Sequence, residues 1–412
     1  MKTPITTPQT LSPSERMRRG ISYGLIALLL SIATPIRAQL GQGAFASLLT
    51  CGAGDAVETF FGHSALRICD TSQGIDWVYN YGTYDFEQPH FYWSFVRGYL
   101  RYSLSRTTFT HFMKEYSSEQ RSVDEQRLLL DNQQTGNLYT MLQTNMMPEY
   151  RYYRYNFFDD NCATRPRDVL IAIAGHRHIE FVEPVESTTY RDIMYEATQH
   201  HLWWRLALDM VLGVRSDRRC DAYRLMFAPK VLHDEVEQAR VDDTARLAQP
   251  SVSILPGRSK EAAIHTTPLV SAWCLCLVVL ALTLLALRHG WSLRWLDCIL
   301  FALLFILSLL LLFLWLGTTH YYTAWNANLL WASPLMLYFL IKGSRSRRWL
   351  TGVQLLMLLA ATLMAITAWP QQLNSAILPL CLLIATRLLH QTHRGMSKDN
   401  LRWKKGKERN VK

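Results

Sequence analysis

An α+β exported domain followed by an all-α membrane domain of five helices is the fold class this chain predicts. Three observations lead there. First, the apolar residues are segregated. The 412 residues are 49% hydrophobic and 18% charged, and the mean hydropathy is near zero, but the average hides two unlike halves. Up to about residue 267 the chain is mixed and polar, and from Pro268 to about Leu389 it is mostly apolar. Second, a short apolar run near the start carries a basic flank. Third, strand-like alternation in the polar half gives way to helical spacing. These features exclude a soluble cytosolic enzyme, a disordered chain and a disulfide-dense miniprotein. The net charge of +10 comes from 43 basic and 33 acidic residues. Much of the excess lies in the tail after Gln391, so it reads as the cytoplasmic bias of a membrane protein and not as a nucleic-acid footprint.

Residues 1–38 read as a signal peptide or anchor. Arg16-Met17-Arg18-Arg19 precedes an apolar run from Ile21 to Thr34, and Ala38 is the expected cleavage position. The run is shorter than the ~20 residues a span needs, whereas Arg37 suits an uncleaved anchor better. Residues 39–240 form the exported domain. Residues 45–110 read as strands and turns: Ala44–Cys51 is strand-like, His63–Cys69 alternates in polarity and Asp76–Tyr81 is rich in aromatic and β-branched residues, with turns at Gly52–Asp55 and Asp70–Gly74. Residues 109–146 and about 190–238 show helical spacing, Tyr152–Phe158 resembles a strand, and Asp159-Asp160-Asn161 offers caps for a helix beginning near Cys162. Residues 241–267, with Pro250 and Pro256, suit a linker.

Residues 268–390 contain five apolar segments, at about 268–287, 297–317, 327–341, 349–368 and 374–390. The loops between them alternate. Arg288 and Arg294 lie in the first, and Lys342, Arg345, Arg347 and Arg348 in the third. The second and fourth carry no Lys or Arg. The positive-inside rule then puts the exported domain in the periplasm and the basic tail, 391–412, in the cytoplasm. The third segment is short and contains Pro334, which suits a tilted or broken helix. Arg387 is expected to snorkel to the inner interface.

Of the eight cysteines, Cys51, Cys69, Cys162 and Cys220 fall in the exported half, where an oxidising compartment tends to pair them. A Cys51–Cys69 bridge and free thiols are both open readings. No CxxC or HExxH occurs, so neither a metal nor a cofactor is expected. Cys162 is open to two readings. One is a buried structural thiol. The other is a nucleophile activated at a helix N-terminus, with His63 as its base and Asn80 holding the imidazole in one tautomer. The outer loop Thr318–Asn326 is either an aromatic belt or, through His320 and Asn326, part of a lipid or substrate site.

Four stretches carry a family resemblance: Leu49-Thr50-Cys51-Gly52-Ala53-Gly54-Asp55, Phe61-Gly62-His63-Ser64-Ala65-Leu66-Arg67, Tyr79-Asn80-Tyr81-Gly82-Thr83-Tyr84-Asp85-Phe86, and Tyr155 to Asp168 with Asp160-Asn161-Cys162 at its centre. Phe95-Val96-Arg97-Gly98 and, in the membrane half, Trp325-Asn326-Ala327-Asn328 extend it. Residues 48–170 thereby resemble the periplasmic domain of the Lnb-type lipoprotein N-acyltransferase family. The resemblance implies a circularly permuted papain-like domain in the inner membrane's periplasmic space, with Cys162 as nucleophile, His63 as base and Asn80 as the third member. It implies no cofactor. It implies transfer of an acyl chain from a membrane phospholipid or diacylglyceryl donor to the lipidated N-terminal cysteine of bacterial lipoproteins. Arg97, Asn161, Arg165, Arg167, His320 and Asn326 are the expected substrate-binding residues. A membrane-anchored cysteine hydrolase or amidase acting on cell-wall peptides or lipids is the alternative.

Overall fold

The computed structural model describes residues 40–84, 89–175, 177–182, 188–258, 267–342 and 348–409; the expected signal segment lies outside them. Among the described residues there are ten strands: β1 (Phe45–Cys51), β2 (His63–Asp70), β3 (Ile75–Thr83), β4 (Arg101–Thr108), β5 (Val123–Arg127), β6 (Tyr152–Arg154), β7 (Ile179–Glu180), β8 (Arg240–Val241), β9 (Ala245–Arg246) and β10 (Val252–Leu255). Seven form one sheet in the order β10-β5-β1-β2-β3-β4-β6, and β7-β8-β9 form a small one. Every pairing in the large sheet is antiparallel.

The period of two along each strand divides the apolar residues between two cores. Leu48, Leu66, Tyr79 and Leu104 face one side. There they meet Leu138 and Leu142 of the helix Asn132–Asn145, Val169 and Leu170 of the helix Thr164–Ala174, and Leu232 and Val236 of the helix Pro229–Gln238. Their sequence neighbours Leu49, Ala65 and Val78 face the other side, against Phe112 and Tyr116 of the helix Phe109–Ser118. The central strands are thus buried on both faces, which is why they read as near-continuous apolar runs.

Several expectations change. The stretch 109–146 is not one helical region, because β5 runs through it. Its polar sequence hid it: the Gln126 side chain is buried and donates to the His233 carbonyl and to Glu237, while Glu125 pairs with Arg67. The expected linker contributes β10, which closes one edge of the sheet on β5. Phe91–Arg97 is a short helix where strands and turns were expected. Cys51 and Cys69 cannot bridge. Their strands pair Cys51 with His63 and Phe45 with Cys69, so the two cysteines lie at opposite ends of the β1–β2 pair, ~20 Å apart at ~3.4 Å per residue. All four cysteines of this half are free thiols.

In the apolar half, three helices among the described residues are long and apolar enough to cross a membrane: Pro268–His289, Arg294–Leu316 and Arg348–Thr367. The other two expected spans differ. The third segment is broken into a turn at Ala327–Leu330 and the helix Met336–Lys342, with Pro334 between them. The fifth begins only at Ile377 in the helix Ile377–Arg409, so its apolar part, to about residue 390, covers only ~20 Å at ~1.5 Å per residue. Arg387 does not snorkel. It is fully buried, donating to Asp297 at 2.7 Å and to the Thr283 hydroxyl at 2.7 Å, and so ties the last helix to the first two.

A buried ionic knot joins the two halves. Arg191, 0% exposed, donates to both Asp209 and Asp217, each at 2.7 Å. Tyr195 also donates to Asp209. The outer loops of the membrane half fasten onto the same place. Asn374 Nδ2 donates to Asp209, the Gln372 amide to Asp217, Asn328 Nδ2 to the Asp209 carbonyl, and Gln371 Nε2 to the Leu212 carbonyl. Burial pushes both carboxyl groups above their ordinary value, and the Arg191 charge opposes that push. Removing the cation leaves two buried carboxylates without it. Arg191→Ala is therefore expected to cost about 3–5 kcal/mol, read as a lowered unfolding temperature of the detergent-solubilised protein, whereas the surface variant Lys230→Ala is expected to change it little.

Candidate functional site

His63 opens β2 and Asn80 lies on the neighbouring β3. Alternation puts them on the same side of the sheet as Ala65 and Val78. Their side chains meet, His63 Nε2 lying 3.2 Å from Asn80 Oδ1. A carboxamide oxygen only accepts, so this contact holds the proton on Nε2 and leaves the Nδ1 lone pair free to act as a base.

The thiol arrives from the other direction. Asn161 sits at the start of the helix Thr164–Ala174, and its Oδ1 accepts from the Ala163 and Thr164 amides at 2.8 and 2.9 Å. Its Nδ2 donates to the Phe157 and Phe227 carbonyls. Cys162 therefore lies in the capping turn, two residues ahead of the first helical residue. The backbone amides of Ser64, next to His63, and of Cys162 itself lie near its sulfur and favour the thiolate. Gly82 lies against the thiol. It has φ +89° and a Cβ there would stand 3.4 Å from Cys162 Cβ and 3.6 Å from the Tyr155 ring. Tyr155 stacks on Tyr102 at 4.1 Å between centroids, walling the thiol. The thiol, next to the Ser64 backbone and to Gly82, thus lies at the same end of β2 and β3 as the His63–Asn80 pair.

Burial dominates the electrostatics. It pushes the Cys162 thiol up to about 11 and the His63 imidazole down to about 4, the amides of Ser64 and Cys162 opposing the first and the Asn80 contact the second. The resting pair is neutral and not a thiolate–imidazolium pair. Both shifts favour the folded state between pH ~6.5 and ~9. As pH falls from 6.5 towards 4 the unfolded chain takes up a proton that folded His63 refuses. As pH rises from 9 towards 11 the unfolded chain loses one that folded Cys162 keeps.

Arg121 is a contributor that sequence reasoning missed. Its buried side chain donates from Nε to the Gly52 carbonyl at 2.8 Å and pairs with Glu119, and its charge favours the thiolate and disfavours the imidazolium. An arginine in an ordinary Gln-Arg-Ser turn carries no such signal. Gly82, Tyr102 and Tyr155 were given no role, although Gly82 and Tyr155 lie in the stretches that carry the resemblance.

The expected substrate-binding residues divide. Asn161 caps the helix with its polar atoms engaged by the Phe157 and Phe227 carbonyls and the Ala163 and Thr164 amides. Arg167 is also structural: it is buried, pairs with Asp168, donates to the Tyr223 carbonyl and lies 3.5 Å over the Tyr223 ring. So is Asn326, buried, whose Nδ2 donates to the Met210 carbonyl and whose Oδ1 accepts from the Asn328 amide. Arg165 pairs with Asp160 and lies over Tyr153, partly exposed. His320 does not reach the thiol's neighbours; its Nε2 contacts the carbonyls of Phe95 and Val96. Arg97 lies over Trp93 and Tyr99.

Two outcomes test this geometry. Alkylation of Cys162 by iodoacetamide, followed on its own peptide by mass spectrometry, is expected to slow steadily from pH 9 to pH 5. A rate that stays level down to about pH 5 shows a preformed ion pair instead. Gly82→Ala is expected to cost about 1–2 kcal/mol from its left-handed backbone alone, seen as a lower unfolding temperature.

Residues 39–196 match the family model of the Lnb N-terminal periplasmic domain, and residues 259–396 match that of the Lnb transmembrane domain. No curated protein and no solved structure matches the chain.

Proposed function

Because the chain belongs to the Lnb family, a membrane protein with a periplasmic N-terminal domain, we propose that it is an acyltransferase that N-acylates the lipidated N-terminal cysteine of bacterial lipoproteins through a thioester on Cys162. The observation that carries this reading is the His63–Asn80 contact at the same end of the sheet as Cys162, in a domain fastened to the outer ends of apolar helices. A reaction between two membrane-bound substrates needs its nucleophile held at the membrane. The sheet with a cysteine at a helix start also supports the permuted papain-like reading, as does the order His63, Asn80, Cys162.

In this mechanism His63 Nδ1 takes the Cys162 thiol proton as Sγ attacks the ester carbonyl of a phospholipid or diacylglyceryl donor. The amide of Cys162 stabilises the oxyanion. The alcohol leaves with the proton from His63, and the acyl group remains as a thioester. The lipoprotein α-amine then attacks, His63 accepts its proton, the C–S bond breaks, and the proton returns to the thiolate. Asn80 keeps the imidazole in the required tautomer throughout. A neutral imidazole is the form that accepts a proton, which supports His63 as a base that acts when substrate arrives.

The test is mass spectrometry of lipoprotein N-terminal peptides from cells lacking their own N-acyltransferase. With the wild type an added acyl chain is expected on the α-amine. With Cys162→Ala, at equal membrane level, none is expected, and with His63→Ala about 10²–10⁴-fold less. An unchanged lipopeptide with the wild type removes the lipoprotein reading and makes cell-wall peptides the next substrates to test.

A further inference from the structure

The short helix Phe91–Arg97 lies outside this mechanism, yet its surface is unlike that of the rest of the sheet domain. Tyr92, Trp93 and Phe95 are 79, 56 and 54% exposed, and Val96 and Tyr99 are exposed beside them. An exposed patch of this kind marks an interaction surface. Its position says what covers it. Trp93 stacks on Phe313, three residues from the end of the span Arg294–Leu316, with centroids 6.1 Å apart. Past that end, the Thr319 amide and hydroxyl donate to the Arg97 carbonyl, both at 3.1 Å, and His320 meets the carbonyls of Phe95 and Val96. Gly98 makes the contact possible, since a Cβ there would come within 2.7 Å of the Thr319 hydroxyl. Other exposed aromatics, Trp325 and Trp369, lie in the outer loops of the same membrane half, as expected of an interfacial belt. The helix therefore continues the lipid-facing surface of a span.

We propose that Phe91–Arg97 is inserted in the leaflet that faces the sheet domain, with Tyr92, Trp93, Phe95 and Val96 among the acyl chains and Arg97 at the phosphate level. Among the described residues Arg97 has no carboxylate partner, only the Trp93 and Tyr99 rings. A cation at the polar edge of an apolar helix matches the anionic oxygens of a phospholipid headgroup. The chain leaving this helix enters β4, whose Tyr102 walls the thiol. One continuous segment thus runs from the leaflet to Cys162. The insertion stands independently of acyl transfer; the delivery of a lipid to Cys162 rests on the function proposed above.

Photo-crosslinking of the full chain in phosphatidylethanolamine–phosphatidylglycerol nanodiscs tests it. Tyr92→p-benzoylphenylalanine and Phe95→p-benzoylphenylalanine are compared with the same replacement at Leu316, exposed at the end of a span, and at Val252, exposed on β10 at the opposite sheet edge from β6. Lipid adducts at 92 and 95 near the Leu316 level and at least about tenfold above Val252 are expected for insertion. Adducts no higher than at Val252 overturn it, whatever the enzyme's activity. Adducts without N-acylation by the wild type leave insertion standing and remove acyl transfer.

Discussion

The ion pairs of Arg191 with Asp209 and Asp217 are the constraint on which the arrangement of this molecule depends. A buried guanidinium between two carboxylates is a poor source of net stability, because desolvation offsets most of the attraction. It is directional, however, and leaves acceptor positions that other groups must fill. Here they are filled by Asn374 and the Gln372 amide from the membrane half, while Gln371 and Asn328 take carbonyls beside the same carboxylates. An apolar contact would let the sheet domain slide over the ends of the spans. A polar knot with this many partners admits one seating, and that seating brings the helix Phe91–Arg97 against Phe313 and His320.

What could be read from the sequence followed the strength of the local signal. Strands β1 to β3 were legible because burial on both faces made them apolar and β-branched. The apolar half was legible from its hydropathy, and the His63–Asn80 contact from short motifs around glycines. Strand β5 was not, because Gln126 and Glu125 are satisfied by the helix Pro229–Gln238 and by Arg67, partners more than fifty residues away. Arg387 was misread for the same reason: Asp297 lies ninety residues earlier. Asn161 and Asn326 looked like ligand-binding groups because a polar residue near a thiol or in an outer loop looks the same whether it binds a substrate or a carbonyl. Only the partners distinguish the two.

The chemistry of the thiol follows from where it is kept. A thiolate held in readiness would be exposed to oxidants in an export compartment. Burial against Ser64, Gly82 and Tyr155 instead favours the protonated thiol of Cys162. Burial likewise favours the neutral imidazole of His63.

The pair between Arg387 and Asp297 also bears on how the chain is made. Asp297 is near the start of the second long helix, and its partner emerges some ninety residues later, on the last one. Until then an acidic side chain sits in an apolar helix without its cation. During synthesis the early helices are therefore incomplete as a unit, and the last helix acts as the closing piece that neutralises them. A chain stopped before residue 387 would leave an uncompensated carboxyl group in the bundle, the kind of defect by which an unfinished membrane protein can be recognised and removed.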